Sequence, residues 1–461
     1  MITCLRSVFG KSTRFYTAGI PLKYKNRIGF DVAALRDSEK IIEASSNNKF
    51  TTITLVSDDL PDRKPYTVAF NNLFLRDSSR SPKSVDPTTG QKLITTGQLS
   101  RNPLSTTPSN VRVTPGGKFI SIEWEDGDSY DYPSEFIYKY KGSSFVTESM
   151  RVKSPSSKTM FWDKRILDNH MDEVIGTDYQ AYMSDDNHLH QLLETLSKFG
   201  IAFINGVPQG AHNAIQDIAK RIGPIRNTFY GETFDIKGAS NETPDIGYSN
   251  VTLPLHMDLL YLDNVPGYQL LHTISNPKEG SGGVSKFVDG FKAISEVRQL
   301  DAASYQALQE VPINYHYSMG DKRYYSSKPV VEHHEVKQGA TLGNYYDDLI
   351  KAVNYSPPFQ APFTFGIYAK SPESDTWKSK VAERHMFNSF TNGLEIFEDR
   401  INDGGNQFEI KLPPNSCVIF NNRRILHARS AFYNDSRWIK GCYMDKDTII
   451  SRLNYLNEKF L

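Results

Sequence analysis

The sequence predicts a mainly β protein with flanking helices, and three observations support this fold class. Short apolar segments typical of strands dominate residues 246–450. A smaller region, residues 46–146, is also rich in β-branched residues and turn signals. Between the two regions, leucine and isoleucine recur at helical spacing. A chain of 461 residues is long enough for two or three domains.

The first thirty residues differ in composition from the rest of the chain. They contain six lysine or arginine residues together with serine and threonine, and no acidic residue precedes Asp31. This composition is typical of a mitochondrial transit peptide, so we predict that residues 1–30 direct the protein to the mitochondrial matrix. An ordinary basic tail is the alternative.

The overall composition excludes several classes of protein. The 53 basic and 53 acidic residues balance, so charge gives no case for a nucleic-acid partner or an anionic membrane surface. No apolar run is long enough to predict a membrane span. The three cysteines lack the spacing of a metal site and are too few for a disulfide framework. We therefore expect a globular protein with an ample core.

The smaller region is predicted to form a β-rich domain of its own. Thr51–Val56 is rich in β-branched residues, and the segments Phe119–Trp124 and Ser129–Tyr132 flank Asp126-Gly127, which is a hairpin signal. Residues 77–115 are rich in serine, threonine, proline and glycine, so a loop is expected there.

Residues 147–183 are predicted to link the two regions, with some helix. Ser184 is placed to cap the helix that follows, and Gly200 is placed to end it. A buried strand at Ile201–Ile204 and a second short helix are expected next. The apolar faces of the two helices would consist of Leu189, Leu192, Leu193 and Leu196 in the first, and of Ile215, Ile218, Ala219 and Ile222 in the second.

A longer helix is predicted ahead of Gly404-Gly405. Its apolar residues recur at helical spacing, and they are Phe387, Phe390, Leu394, Phe397 and Ile401. Such a stripe is expected in the core or in a subunit contact, which leaves a homodimer open.

The most informative motif is His256-Met257-Asp258. The apolar run Val251–Leu262 around it predicts a strand, in which residues i and i+2 face the same side and can share a metal. His427 follows 169 residues after Asp258, just beyond a second buried-strand pattern at Val418–Phe420. Two imidazoles and one carboxylate are the ligands of the facial triad that holds a non-haem Fe(II) with open positions for oxygen chemistry.

The tripeptide alone is weak support for a metal site, because the chain contains it twice. His170-Met171-Asp172 lies in a polar, acidic stretch. If that stretch is helical, its first and third residues do not face each other, and no chelate forms. Only the context of a strand and a distant third ligand makes the second copy a candidate site.

That context resembles a known family. The segments Phe420–Ser430 and Arg437–Tyr443 are similar to the γ-butyrobetaine hydroxylase and trimethyllysine dioxygenase family. The similarity covers most of the chain from about residue 50 onward, and further similar segments are Asn72–Asp77, Phe199–Phe203, Arg221–Ile225, Pro266–His272 and Phe287–Phe291. Members are Fe(II)- and 2-oxoglutarate-dependent oxygenases, so the resemblance implies a double-stranded β-helix, a jelly roll, over residues 184–455.

The resemblance also implies a role for each residue of the site. His256, Asp258 and His427 would hold iron, with dioxygen as a substrate and ascorbate as a reductant. Arg437 would bind the distal carboxylate of 2-oxoglutarate, since a guanidinium pairs with a carboxylate bidentately; a surface arginine at a strand start is the alternative. Ser285 matches a serine or threonine position that lies near the cosubstrate in the family, although Val284 replaces the acidic residue that usually precedes it. Arg429 would support the residues that bind the ligands without contacting the ligands itself.

An aromatic cage for a trimethylammonium group is implied as well. Such a cation cannot donate hydrogen bonds, so ring faces recognise it through cation–π attraction. The matching positions are Tyr230, Phe234, Tyr248 and Tyr443. Ordinary aromatic core packing is the alternative in a chain with 25 tyrosines and 26 phenylalanines.

Three departures from the family pattern bear on the substrate. Leu259 stands where a further cage tyrosine is expected, Asp245 replaces an asparagine, and Val353–Pro358 replaces a paired-asparagine segment that helps to place the substrate carboxylate. These departures favour a site that accepts a cation and disfavours a carboxylate. The alternatives are an oxygenase of the same fold that acts on a protein side chain, and a non-catalytic scaffold.

Two further expectations concern metal sites and histidines. The family carries a structural zinc in its small domain, bound by three cysteines and a histidine, but here those positions hold Ser79, Ser81, Ser84 and Asp128. A serine hydroxyl is a poor zinc ligand, so we predict no zinc in this domain. The remaining histidines of interest are expected to be structural or exposed, and they are His272, His333 and His334.

Overall fold

A computed structural model describes residues 39–57, 64–140, 159–237, 250–276, 280–333, 350–365, 381–432 and 437–460. The chain forms two compact units, residues 1–155 and residues 156–461. The predicted transit peptide lies outside the described residues, as do Asp245, Tyr248 and His334.

The first unit is rich in β structure, and it contains two three-stranded antiparallel sheets. Its strands are β1 (Glu39–Ser46), β2 (Phe50–Ser57), β3 (Tyr66–Asn71), β4 (Pro108–Val113), β5 (Phe119–Trp124) and β6 (Ser129–Pro133), and its helices are α1 (Asn72–Asp77), α2 (Thr96–Arg101) and α3 (Ser134–Tyr140). The core between the sheets includes Ile53, Ile122 and Trp124. Strand β1 begins seven residues before the start that we expected for this region.

The predicted hairpin of this unit is confirmed, whereas the long predicted loop is only partly correct. Strands β5 and β6 pair on either side of Asp126-Gly127, and Gly127 has φ 76°. Within residues 77–115, helix α2 forms because Thr95 and Gln98 make a reciprocal capping box. Strand β4 forms because it pairs with β5 along its length, a partner that local composition does not reveal.

The positions that replace the family zinc ligands form a buried hydrogen-bonded cluster. Ser81 and Ser84 donate to one carboxylate oxygen of Asp128, over 2.8 and 3.2 Å. Arg76 pairs with the same oxygen at 2.8 Å. Protein groups therefore satisfy this carboxylate, and the absence of zinc stays a prediction.

The second unit begins with helices that pack against its core. They are α4 (Lys164–Asp168), α5 (Met171–Ile175), α6 (Tyr179–Ser184), α7 (Asp186–Phe199) and, after a strand at Ile201–Asn205, α8 (Ala214–Ile222). Trp162 is fully buried, and its indole N–H donates to the carbonyl of Phe199 over 2.7 Å. Residues 159–183, which we expected to link the two regions, are thus an integral part of this unit.

The helix α7 is confirmed, but its predicted cap is wrong. Ser184 is the last residue of α6, where its hydroxyl donates to the carbonyl of Gln180. Asp185 caps α7 by accepting from the N–H of Asn187 over 2.9 Å. Gly200 ends the helix with φ 77°, in the left-handed region where glycine costs least. A Cβ there would also lie 3.0 Å from the side chain of Arg424.

Two facing sheets form the jelly roll of the second unit. Their strands are β7 (Thr177–Asp178), β8 (Ile201–Asn205), β9 (Phe234–Lys237), β10 (Leu253–His256), β11 (Tyr268–Ser275), β12 (Ser285–Asp289), β17 (Phe408–Ile410), β18 (Ser416–Asn421), β19 (Ile425–Arg429) and β20 (Trp438–Met444). The larger sheet has the order β7-β8-β18-β11-β20-β9, and the smaller has the order β10-β19-β12-β17. Phe287 of the smaller sheet contacts the rings of Phe203 and Phe420 of the larger one, so the two inner faces share a core.

Further helices and hairpins cover the sheets. They are α9 (Gly290–Leu300), α10 (Ala302–Glu310), β13 (Pro312–Met319), β14 (Lys322–Pro329), β15 (Val331–His333), β16 (Ile350–Val353), α11 (Val381–Asn402) and α12 (Lys446–Phe460). The long predicted helix is confirmed as α11, and its residues Phe390 and Phe397 are fully buried. Its apolar stripe therefore belongs to the core. No helix among the described residues is long and apolar enough to span a membrane.

Candidate active site

The three predicted metal ligands come together at one end of the smaller sheet. His256 is the last residue of β10, and it is the direct partner of His427 in β19. Asp258 lies in the turn after β10, so the prediction that one strand carries both ligands is wrong for Asp258. Leu259 in this turn has a positive φ of 62°, and the turn places the carboxylate of Asp258 next to the two imidazoles. His427 lies beyond the strand that contains Val418–Phe420, as predicted, and it belongs to the next strand, β19.

The distances among these side chains suit one metal ion. Nε2 of His256 lies 3.1 Å from Oδ1 of Asp258. The two imidazole centroids are 4.2 Å apart, and one ligand atom from each of the three residues lies within 4.8 Å of the others. The described part of the chain contains no second group of this kind. The other copy of the tripeptide lies at the start of helix α5, the case in which no chelate was expected to form.

Neighbouring groups hold the triad in the state that a metal needs. Nδ1 of His256 donates to the carbonyl of Pro254 over 2.8 Å, which leaves Nε2 free to bind. Burial alone raises the pKa of Asp258, but the hydrogen bond with His256 and the charges of the two histidines hold that pKa well below its usual range. Burial and the proximity of His256 lower the pKa of His427 to about 3. Near pH 7, Asp258 is therefore a carboxylate and His427 a neutral imidazole.

Asn422, which the sequence analysis missed, fixes the backbone of Asp258. The side chain of Asn422 is fully buried. Its Oδ1 accepts from the N–H of Asp258 over 2.9 Å, and its Nδ2 donates to the carbonyls of Asp258 and Pro266 over 3.0 and 3.2 Å. The available signal was a polar Asn-Asn pair directly after the apolar strand pattern that ends at Phe420.

Arg437 lies in the same pocket, directly before β20. Its side chain is only 5% exposed, and its Nε and Nη1 have no hydrogen-bond partner among the described residues. Burial and the neighbouring Arg429 lower its pKa to about 9. The alternative of a surface arginine is therefore wrong. A buried guanidinium without a partner is costly, so this group is suited to receive an anion.

One cavity connects the triad to Arg437 and to most of the predicted residues. Ser285 is buried and is the strand partner of Arg429, which donates to the carbonyl of Val251 over 2.9 Å. The predicted residues that line the cavity are His256, Asp258, His427, Arg437, Arg429, Ser285, Tyr230, Phe234 and Tyr443. Lining residues that the sequence analysis did not single out include Gln269, Tyr261, Leu271 and Phe359.

An aromatic wall forms the side of the cavity beyond Asp258. The rings of Phe234 and Tyr443 stack with centroids 5.2 Å apart, and Tyr230 lies 5.9 Å from Phe234. A Cβ at Gly441 would approach the ring of Phe234 to 2.2 Å, so only glycine admits this ring across β20. The hydroxyl of Tyr443 donates to Oδ2 of Asp258 over 2.7 Å. Tyr443 thus contacts a metal ligand as well as lining the wall.

The other histidines lie away from this cavity. His272 is 2% exposed and lies on the face of β11 opposite to the cavity-lining residues. Its pKa is lowered to about 4, first by burial and then by the charges of His212 and Lys440, so it is neutral near pH 7. His333 packs against the ring of Tyr305. The expectation of structural roles is met for these two.

Known proteins are similar to this chain over most of its length. Residues 166–443 match the family described as Taurine catabolism dioxygenase TauD, TfdA family. The probable oxidoreductase AIM17 of Saccharomyces cerevisiae is 44% identical over 444 residues, which cover 93% of each chain. The gamma-butyrobetaine dioxygenase of Pseudomonas sp. (strain AK-1) is 27% identical, over 83% of this chain and 89% of its own. The mitochondrial trimethyllysine dioxygenase of Gallus gallus is 25% identical, over 84% of this chain and 83% of its own.

Proposed function

The chain belongs to the TauD/TfdA family of Fe(II)- and 2-oxoglutarate-dependent dioxygenases, and from this premise we propose that it hydroxylates a small trimethylammonium-type or related amino acid derivative. His256, Asp258 and His427 hold the iron, and Arg437 with Ser285 holds 2-oxoglutarate. A ferrous ion bound there supplies the activation of dioxygen that is coupled to decarboxylation of 2-oxoglutarate.

The observation that carries this proposal is Arg437 in the cavity of the triad, whose Nε and Nη1 lack a hydrogen-bond partner among the described residues. A scaffold protein would have no use for a buried guanidinium with unsatisfied nitrogens in the cavity that holds three metal ligands, because the charge costs stability. A dicarboxylate that reaches from the triad to Arg437 would pair with that charge. The guanidinium carbon of Arg437 lies 5.6 Å from the centre of the Phe432 ring, and this cation–π contact helps to hold the arginine side chain in place.

The remaining residues of the site orient and insulate the reactants. The contact between His256 and Pro254 keeps one imidazole nitrogen available, and the contact between Tyr443 and Asp258 orients the carboxylate. Burial of these groups strengthens each electrostatic contact, since the surroundings are less polar than water.

The substrate proposal rests on the aromatic wall of Tyr230, Phe234 and Tyr443. Ring faces attract a cation without hydrogen bonds. Relatives that align with more than four fifths of this chain are named for trimethyllysine and γ-butyrobetaine. The hydroxyl of Tyr443 is engaged with Asp258, so this residue offers the ligand its ring and not its hydroxyl. Leu259 adds no ring to the wall, which separates this site from one built for γ-butyrobetaine.

The test is succinate release from 2-oxoglutarate by the purified, Fe(II)-loaded protein, measured alone, with γ-butyrobetaine and with Nε-trimethyllysine. Stimulation by either compound supports the reaction and the substrate class. Slow release that neither compound stimulates retains the dioxygenase and refutes the substrate class. Failure of 2-oxoglutarate to bind at all refutes the role of Arg437.

We also propose that the protein acts in mitochondria. The basic, acid-free composition of residues 1–30 supports this location, and an aligned trimethyllysine dioxygenase carries the word mitochondrial in its name. The test fuses residues 1–30 to a fluorescent protein and follows its location in cells. A matched fusion in which the six basic residues are changed to glutamine is the control. Diffuse fluorescence from the unmodified fusion would contradict the proposal.

A further inference from the structure

Gln269 carries a buried amide oxygen, Oε1, that has no hydrogen-bond partner among the described residues. The side chain is 2% exposed and lines the cavity of the active site. Buried polar side chains are nearly always hydrogen-bonded, and each exception requires an explanation. A bound ligand is the natural partner for an unsatisfied group that faces a binding cavity.

The position of Gln269 in β11 places its amide beside the triad. Its partners in the neighbouring strands are Phe420 and Tyr443, whose side chains point to the same face of the sheet. The ring of Phe420 lies 4.9 Å from the ring of His427, and the hydroxyl of Tyr443 is bonded to Asp258. Gln269 therefore lies between Phe420, which contacts the metal ligand His427, and Tyr443, which contacts the metal ligand Asp258.

The same register separates Gln269 from the end of the cavity that holds Arg437. Arg437 directly precedes Trp438, and Trp438 pairs with Ser275, six positions beyond Gln269 along β11. At about 3.3 Å per residue, the two backbone positions are roughly 20 Å apart along the strand. The amide is thus not placed to bind the carboxylate that pairs with Arg437.

We propose that Gln269 is a specificity-determining residue that binds an N–H or O–H donor of the substrate. This inference rests on the proposed function and adds a requirement to it. The unsatisfied atom is an acceptor, and a quaternary ammonium offers it no hydrogen. The substrate must therefore carry a second polar group, such as a primary ammonium or a hydroxyl, in addition to the cation on the aromatic wall.

Two ligands that differ only in such a donor provide the test. Nε-trimethyllysine carries an α-ammonium group, and 6-(trimethylammonio)hexanoate is the same molecule without it. Dissociation constants for both are measured by calorimetry with the Mn(II)-loaded protein and saturating 2-oxoglutarate, so no turnover is needed. We expect the amino-bearing ligand to bind about tenfold more tightly to the unmodified protein, as the gain of one such hydrogen bond predicts.

In the variant Gln269→Leu, an apolar side chain of similar size replaces the amide. We expect the ratio of the two dissociation constants to fall close to one in this variant. The matched control is Gln407→Leu. Gln407 is also a buried glutamine, but its amide is satisfied by the carbonyl of Ile401 and by Lys286, and it does not line the cavity. The ratio should persist in this control.

Each other outcome overturns a defined part of the reasoning. A ratio near one in the unmodified protein, or a ratio that persists in Gln269→Leu, refutes the role of Gln269. Equal weakening of both ligands in Gln269→Leu means that the amide contacts their shared carboxylate, which also refutes the selection of a donor. If the unmodified protein binds 2-oxoglutarate but neither ligand, this inference fails while the dioxygenase assignment stands. If 2-oxoglutarate does not bind, the proposed function itself fails.

Discussion

Replacement of Arg437 by methionine should have opposite effects on cosubstrate binding and on the stability of the free protein. The side chain is buried and its Nε and Nη1 lack partners in the described structure. In the absence of 2-oxoglutarate, Arg437→Met removes an uncompensated buried charge and leaves an apolar side chain of similar length. The melting temperature of the free protein should therefore stay the same or rise.

The loss of cosubstrate affinity follows from the same two nitrogens. A hydrogen bond to a charged group contributes roughly 1.5–3 kcal/mol. If each of the two unsatisfied nitrogens contributes one such bond to the bound ligand, the loss is about 3 kcal/mol or more, which corresponds to roughly 100-fold in Kd. Arg437→Lys keeps the charge but not the planar pair of donors, and we expect a smaller loss of about tenfold.

The assay is calorimetric titration of the Mn(II)-loaded protein with 2-oxoglutarate, combined with thermal unfolding of the free protein. Arg423→Met is a matched control, because Arg423 is a similarly buried arginine that pairs with Glu332 at 3.0 Å. Its loss should lower the melting temperature. If Arg437→Met binds 2-oxoglutarate as tightly as the unmodified protein does, the carboxylate lies elsewhere and the reasoning is refuted.

Three further predictions concern the support of the site and the fold. Asn422→Leu removes both contacts to the backbone of Asp258 and the contact to Pro266, so metal affinity should fall about 10- to 100-fold. Co(II) titration followed by visible absorption measures this affinity, and an unchanged value would mean that Asn422 is not needed to position Asp258. The pKa of His272 is about 4 in the folded protein and 6.5 in the unfolded chain, so the unfolded state binds more protons between these two pH values. The free energy of unfolding should therefore decline as the pH falls from about 6.5 towards 4. His272→Leu should weaken that decline in urea unfolding, and an identical pH profile would contradict the assignment. Asp185→Ala should lower the free energy of unfolding by about 1 kcal/mol, because the α7 cap is lost. Ser184→Ala changes the residue first predicted as the cap and should alter this free energy by less than about 0.5 kcal/mol. Equal effects of the two variants would contradict the assignment of Asp185 as the cap.

Local patterns predicted the elements whose formation depends mainly on their own residues. The helical spacing of Leu189 and Leu196 predicted α7, and Gly200 marked its end, because an amphipathic face and a left-handed residue are local properties. The cap was misplaced by one residue because Ser184 and Asp185 are both good capping residues and only the preceding helix decides between them. Strand β4 was missed for a similar reason, since its partner β5 determines it.

The sequence by itself determined the chemistry of this protein: which residues can bind a metal, which arginine can bind a carboxylate, and which family they resemble. Tertiary structure decided how those residues meet. Asp258 faces His256 from a turn held by Asn422, which is 164 residues away in the chain. Equally invisible in the sequence is the lack of partners, within the part of the chain that the structure describes, for Nε and Nη1 of Arg437 and for Oε1 of Gln269. Burial and missing partners depend on every segment that packs around a side chain, and no local pattern records them.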